Sequence, residues 1–288
     1  MFKKAEKTKL KLRLAIDGPS GSGKTWGALS IAKAFGDKIA VIDTEHRSAS
    51  LYSDRFNFDV SELEGNYSPE QYISRIKEAE SAGYDLLIID SLSHEWEGVG
   101  GCLDIQNKLG GRYTDWAKVT PRHDALVQAI LGSSLHIIAT MRTKTEYVIE
   151  KNQNGKDAPR KVGTAPKQRD GLEYEFTAVF NLNQQHMASV SKDRTSLFDG
   201  KDFMLDESVG VALSKWLNDG TNVLTDLQKE QEFNEKIDMW RGKIEDVKSL
   251  EDLKKVWMKV PKEFKHNLAS VKDAMKKEID IEDSGSQE

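Results

Sequence analysis

Gly18-Pro-Ser-Gly-Ser-Gly-Lys24-Thr25 decides how the rest of the chain is read. It follows the apolar run Leu12-Arg-Leu-Ala-Ile-Asp17 and precedes a helix-like stretch from Trp26 to Phe35. A strand that turns into a helix through glycines at this spacing is the setting of a phosphate-binding loop. Glycines at 18, 21 and 23 permit positive φ, so successive N–H groups point inward at an anion, and the helix start adds its positive end. Lys24 then reaches the β- and γ-phosphates, and the Thr25 hydroxyl is placed to ligate Mg²⁺. ATP and Mg²⁺ are therefore the expected cofactors, with Gly18, Ser20, Gly21, Ser22, Gly23, Lys24, Thr25 and Trp26 as the nucleotide-contacting positions.

Outward from the loop, short β-branched runs at about 10–17, 38–43, 84–90, 135–141 and 176–183 alternate with helix-period stretches. That alternation predicts an α/β core, a mainly parallel sheet with crossover helices. Helices are expected at Lys24 to Phe35, Pro69 to Ala82, Asp115 to Ser133 with a break near Pro121, and Ser208 to Leu217. His186 to Ser191 and Gly200 to Leu205 read as edge strands. Asn218-Asp-Gly220 is a turn signal, so the core domain is set at 1–220. Phe233, Ile237, Trp240, Ile244 and Val247 then recur at steps of four and three, a one-sided seam that predicts a small helical module over 221–280. Residues 281–288 read as a disordered acidic tail.

Bulk properties exclude several classes. The 288 residues contain no uninterrupted apolar run near the roughly 20 residues of a membrane span, and no signal core follows the N-terminal lysines. A single cysteine, Cys102, excludes an internal disulfide and reads as a buried bystander; the six histidines show no metal-ligand spacing. A cytoplasmic location is expected. The net charge of −5 argues against a chain that coats nucleic acid with its whole surface. Charge is nonetheless uneven: from Arg142 to Arg169 eight basic residues face three acids. That stretch has no clear apolar pattern and reads as a long functional loop.

A phosphate-binding loop needs an acid that holds Mg²⁺ through water, and Asp90, ending Leu86-Leu-Ile-Ile-Asp90, is placed for it. Hydrolysis also needs a group that orients or deprotonates water. Glu45, in Ile42-Asp-Thr-Glu-His46, is the leading candidate, with Asp43 and Glu95 as rivals.

Gly-Pro-Ser-Gly-Ser-Gly-Lys-Thr, Ile42-Asp-Thr-Glu-His46 and Leu87-Ile-Ile-Asp-Ser91, in this order, resemble the RecA family of recombination ATPases. Within it the chain looks most like phage-encoded RecA-like ATPases of the Sak type, associated with single-strand annealing and recombination. The resemblance covers about 10–217. It implies Glu45 as the catalytic glutamate, self-association into a ring or filament, and two loops for single-stranded DNA. The matching stretches are Ser93 to Thr114, with Trp96, Arg112 and Tyr113, and the basic run Arg142 to Arg169. It also implies a basic residue donated in trans, for which Lys167 and Arg169 are placed, with Arg169 chosen as catalytic. Thr140 stands where RecA has a γ-phosphate-sensing glutamine. A single-strand-binding or replication protein is an expected partner, the bacterial host cytoplasm the expected compartment. Two other classes compete: a P-loop kinase of a small metabolite, with Arg142 to Arg169 as its lid, and a nucleotide-dependent scaffold whose helical module recruits a replication or repair partner.

Overall fold

The computed structural model describes the backbone of residues 9–151, 157–219 and 226–285, and the side chains among them except at 145–163, 226–232 and 281–285. The chain divides into two compact units, 1–221 and 222–288.

In the first unit β1 (Arg13–Gly18) leads through the glycine loop into α1 (Lys24–Ala32), and β2 (Ile39–Asp43) follows. A short parallel strand β3 (Asp59–Glu62) precedes α2 (Pro69–Ser81), and β4 (Leu86–Asp90) is followed by two short helices, α3 (Ser93–Glu97) and α4 (Cys102–Lys108). Next come α5 (Trp116–Gly132), the long β5 (His136–Lys151), β6 (Asp157–Pro166), β7 (Ala178–Leu182), β8 (Met187–Asp193), β9 (Phe203–Met204) and α6 (Glu207–Asn218). The sheet order is β3-β2-β4-β5-β1-β7-β8-β9, with β6 paired only to β5. From β3 to β7 the strands run parallel, and β8 and β9 close the far edge antiparallel. The expected α/β architecture is therefore the observed one.

Strand alternation builds two cores. Leu14, Ile16, Val41, Ile88, Ile138 and Phe180 face α1 and α6. Ala15, Ile42, Leu87, Ile89 and Ala139 face α2 and α5 on the other side. Helices cover both faces, so β1, β2 and β4 are buried along their whole length and read as mostly apolar runs that close on Asp17, Asp43 and Asp90. Arg13, at the start of β1, is also buried; its guanidinium donates to the carbonyls of Leu12, Leu131, Ser133 and Leu135, tying β1 to the end of α5. Helices α1 and α6 cross so closely that a Cβ at Gly210 would lie 2.3 Å from the Ile31 carbonyl oxygen.

Three expectations need correction. Arg142 to Arg169 is not a loop, because β5 continues ten residues past Met141 and pairs antiparallel with β6 as a hairpin. In the sequence, charged residues and threonines dominate the run and mask the short apolar stretch Tyr147-Val148-Ile149. Helix α5 runs through Pro121 without a break. Pro121 lies early in the helix and displaces only the bond to Ala117. Ser93 to Thr114 is likewise not open loop but holds α3 and α4.

In the second unit α7 (Asp226–Glu245), α8 (Leu250–Lys259) and α9 (Lys265–Gly285) enclose their own core of Ile237, Ile244, Leu253, Val260, Phe264 and Leu268. The α9 backbone continues five residues into the stretch read as a tail, since no helix breaker precedes Gly285. Residues 286–288 lie outside those described.

Candidate nucleotide-binding site

The carboxyl ends of parallel strands open onto one crevice, and here they deliver the loop from β1, Glu45 after β2, Asp90 at the end of β4 and Arg142 from β5. A pocket of about 480 Å³ is lined by Lys24, Thr25, Glu45, Asp90, Arg142 and Lys167, among others. Gly21 and Gly23 take left-handed φ of 77° and 90°, the curl that turns backbone N–H groups toward an anion. The Lys24 ammonium donates to the Gly18 and Pro19 carbonyls at 3.0 and 2.9 Å and so spans its own loop. Burial lowers its pKa, and Asp90 and Glu45 partly offset that.

Thr25 and Asp90 meet directly. The Thr25 hydroxyl donates to Asp90 Oδ2 at 2.6 Å, and the Thr140 hydroxyl donates to Oδ1 at 2.5 Å. Asp90 is 1% exposed, and burial raises its pKa despite both hydrogen bonds. A hydroxyl and a carboxylate in contact beside a phosphate loop form a hard oxygen set that fits Mg²⁺. Thr140 is fully buried against Asp90 and is not among the pocket-lining residues, whereas Arg142 and Thr143 of the same strand are.

Of the three carboxylates weighed as water activators, Glu45 is the one that lines the pocket. Asp43 is spent on the backbone, accepting from the amides of Glu45 at 2.7 Å and Ala49 at 3.0 Å and shaping the turn that carries Glu45. Glu95 is fully buried elsewhere, accepting from Cys102, His123 and Gln168. Burial and Glu95 push the Cys102 thiol far up, which removes it as a nucleophile. Glu45 Oε1 accepts from Arg142 Nε at 2.7 Å. Burial alone would raise the Glu45 pKa, but the Arg142 bond and charge, with His94 and Lys24, hold it below the ordinary value.

A second pocket of about 390 Å³ adjoins the loop at Gly21–Gly23 and is lined by Trp26, Tyr52, His186, Met204 and Leu205. Trp26 is edge-on to Tyr52 and Phe56 at 5.7 and 5.0 Å. Its apolar walls beside the phosphate loop suit a nucleotide base. Of these residues only Trp26 was marked by the sequence; the others come from three separate segments with no shared motif.

Lys167 lies in the phosphate pocket of its own chain and pairs with Glu97 at 3.1 Å. Arg169 points elsewhere. It pairs with Asp124 at 3.1 Å and borders an open cleft of about 710 Å³ with Trp96, Tyr113 and Trp116. Trp96 and Trp116 stack at 5.3 Å and 16°, and Tyr113 is 90% exposed. Of the hairpin positions, Lys156 lies outside the described residues, as do the side chains of Lys151, Arg160 and Lys161.

Helix α3 touches both regions. Ser93 Oγ accepts the Arg142 amide at 2.9 Å, His94 Nδ1 lies 2.7 Å from Thr44 Oγ1 beside Glu45, Trp96 lines the cleft, and Glu97 holds Lys167.

No curated protein matches the chain. A family model described as an AAA domain matches residues 10–204, more than half of the sequence and all of the strands and loops just described. The chain belongs to the AAA-domain family of P-loop ATPases.

Proposed function

We propose that the protein is a Mg²⁺-dependent ATPase of the RecA-like, Sak type whose turnover is coupled to single-stranded DNA. Lys24 and the loop amides bind the β- and γ-phosphates, while Thr25 and Asp90 hold the metal. Mg²⁺ supplies charge neutralisation on the phosphates when bound. Glu45 orients the attacking water and accepts its proton, and its lowered pKa keeps it ionised at neutral pH. Arg142 shares Glu45 with the phosphate pocket. An arriving γ-phosphate competes for the guanidinium and frees the carboxylate for water.

The observation that carries the coupling is α3. Its five residues connect the aromatic cleft at Trp96 with the neighbours of Glu45 and Arg142. Stacked tryptophans, an exposed tyrosine and Arg169 form a surface on which bases stack with little sequence preference. ATP turnover measured with and without single-stranded oligonucleotides tests the reading. Stimulation that Trp96→Ala abolishes while basal turnover persists is expected. Turnover indifferent to DNA, or phosphoryl transfer to a small acceptor, would overturn it.

A further inference from the structure

We propose that Glu95, Cys102 and His123 form a buried zinc site, with the Glu95 carboxylate, the Cys102 sulfur and His123 Nδ1 as three ligands to one ion. This rests on geometry separate from the nucleotide site. The three residues come from α3, the start of α4 and the middle of α5. Their donor atoms all lie within 4.8 Å of one another. Cys102 Sγ and His123 Nδ1 each stand 3.0 Å from the same oxygen, Glu95 Oε1. The residues are 0%, 0% and 4% exposed. Around zinc, with bonds of about 2.0–2.3 Å, tetrahedral ligands stand about 3.3–3.7 Å apart. The Glu95–Cys102 and Glu95–His123 edges lie within a few tenths of an ångström of that spacing, and the third is no longer than 4.8 Å, so small side-chain adjustments accommodate the ion.

Charge favours the same assignment. The buried Glu95 carboxylate is surrounded by the Cys102 thiol, the His123 imidazole and the Gln168 amide, two ligand types and one supporting donor that zinc sites use. A divalent ion with one thiolate, one carboxylate and one neutral imidazole is neutral as a whole. Thiolate and imidazole select zinc over Mg²⁺ or Ca²⁺. Gln168 Nε2 donates to Glu95 Oε2 at 3.1 Å and to the Leu92 carbonyl at 3.2 Å, orienting the carboxylate so that Oε1 points to its two partners. As the sulfur–zinc bond forms, the thiol proton leaves to solvent. The three protein ligands fill three of the four tetrahedral positions. The ligands are seven and twenty-one residues apart in sequence, so no close pair announces the site. The ion would pin α3, α4 and α5 together behind Trp96, whose ring meets His123 edge-on at 5.7 Å.

The test uses the full chain, stripped with chelator and titrated with Zn²⁺ and with Co²⁺ as a spectroscopic probe. One zinc per chain and a thiolate-to-cobalt charge-transfer band are expected. Cys102→Ser should lose the band and weaken zinc binding by more than the roughly 100-fold that outer-shell changes reach. Gln168→Ala should keep the band and weaken zinc by about 10–100-fold. Circular dichroism checks that each variant folds, and the wild-type band is decisive if Cys102→Ser does not. A cobalt complex without that band, or zinc binding unchanged in Cys102→Ser, places the ion at Thr25 and Asp90 and overturns the proposal.

Discussion

At Glu45 one carboxylate oxygen is shared between its future task and Arg142. Glu45→Gln should retain nucleotide affinity and lose about 10²–10⁴ in turnover, because the amide cannot take the proton of water. Nucleotide binding and single-turnover hydrolysis measured on the same variant separate the two effects. Arg142→Ala removes the partner that holds the Glu45 pKa down, so the acid limb of the pH–rate profile should move to higher pH. An unmoved limb would mean that Glu45 is not the titrating group. His136 offers a stability counterpart. The Leu12 amide donates to its Nδ1 at 3.0 Å, and burial lowers its pKa to about 4. A depressed histidine pKa contributes stability above the unfolded value near 6.5 that is lost as pH falls toward 4. Asp17, which burial pushes up to about 6, acts with the opposite sign over part of that window. The contrast between wild type and His136→Asn isolates the histidine: the stability advantage of the wild type should shrink between pH 6.5 and 4, as read by chemical denaturation.

Among the elements, the β5–β6 hairpin departs most from what its sequence announces. Its basic residues were legible as a cluster, but their strand conformation was not, because the charged residues outweigh the short stretch Tyr147-Val148-Ile149 and leave no long apolar alternation to read. Neutralising Lys144, Lys151, Arg160 and Lys161 together should weaken single-stranded DNA binding and flatten its salt dependence by about 0.7 in the log–log slope per lost phosphate contact. An unchanged slope would remove the hairpin from the DNA path. The phosphate loop lies at the other extreme of legibility. Its glycines, Lys24 and Thr25 are contiguous, so one motif states the whole geometry. Asp90 was legible too, as the end of a buried strand. Tyr52, His186 and Met204 were not, since each reaches the base pocket from a segment that means nothing until the sheet assembles. The same holds for Arg142, which resembles any other cation in its run until β5 pairs with β1 and sets it level with Gly18.

Across the whole molecule, the resting position of Arg169 bears on assembly. Within its own chain it stands at the aromatic cleft, paired with Asp124, rather than in the phosphate pocket. If it completes a neighbouring site, Arg169→Ala should bind ATP normally yet lose about 10³–10⁵ in rate. Mixing it with Lys24→Ala should then restore activity, since a Lys24→Ala subunit can lend Arg169 to an intact loop. Co-assembly without rescue at any ratio would confine Arg169 to its own subunit.

Strand β5 is 16 residues long, about 50 Å at the usual rise; its first half is clamped between β4 and β1, and its second half pairs with β6. Mechanically it is a cantilever. At the clamp, parallel ladders on both sides fix the register of β5, so a load passed along the strand acts there more as torque than as sliding. Arg142 sits at that fulcrum with its side chain on Glu45. Tilt at that point carries the guanidinium with it and so alters its 2.7 Å contact with Glu45.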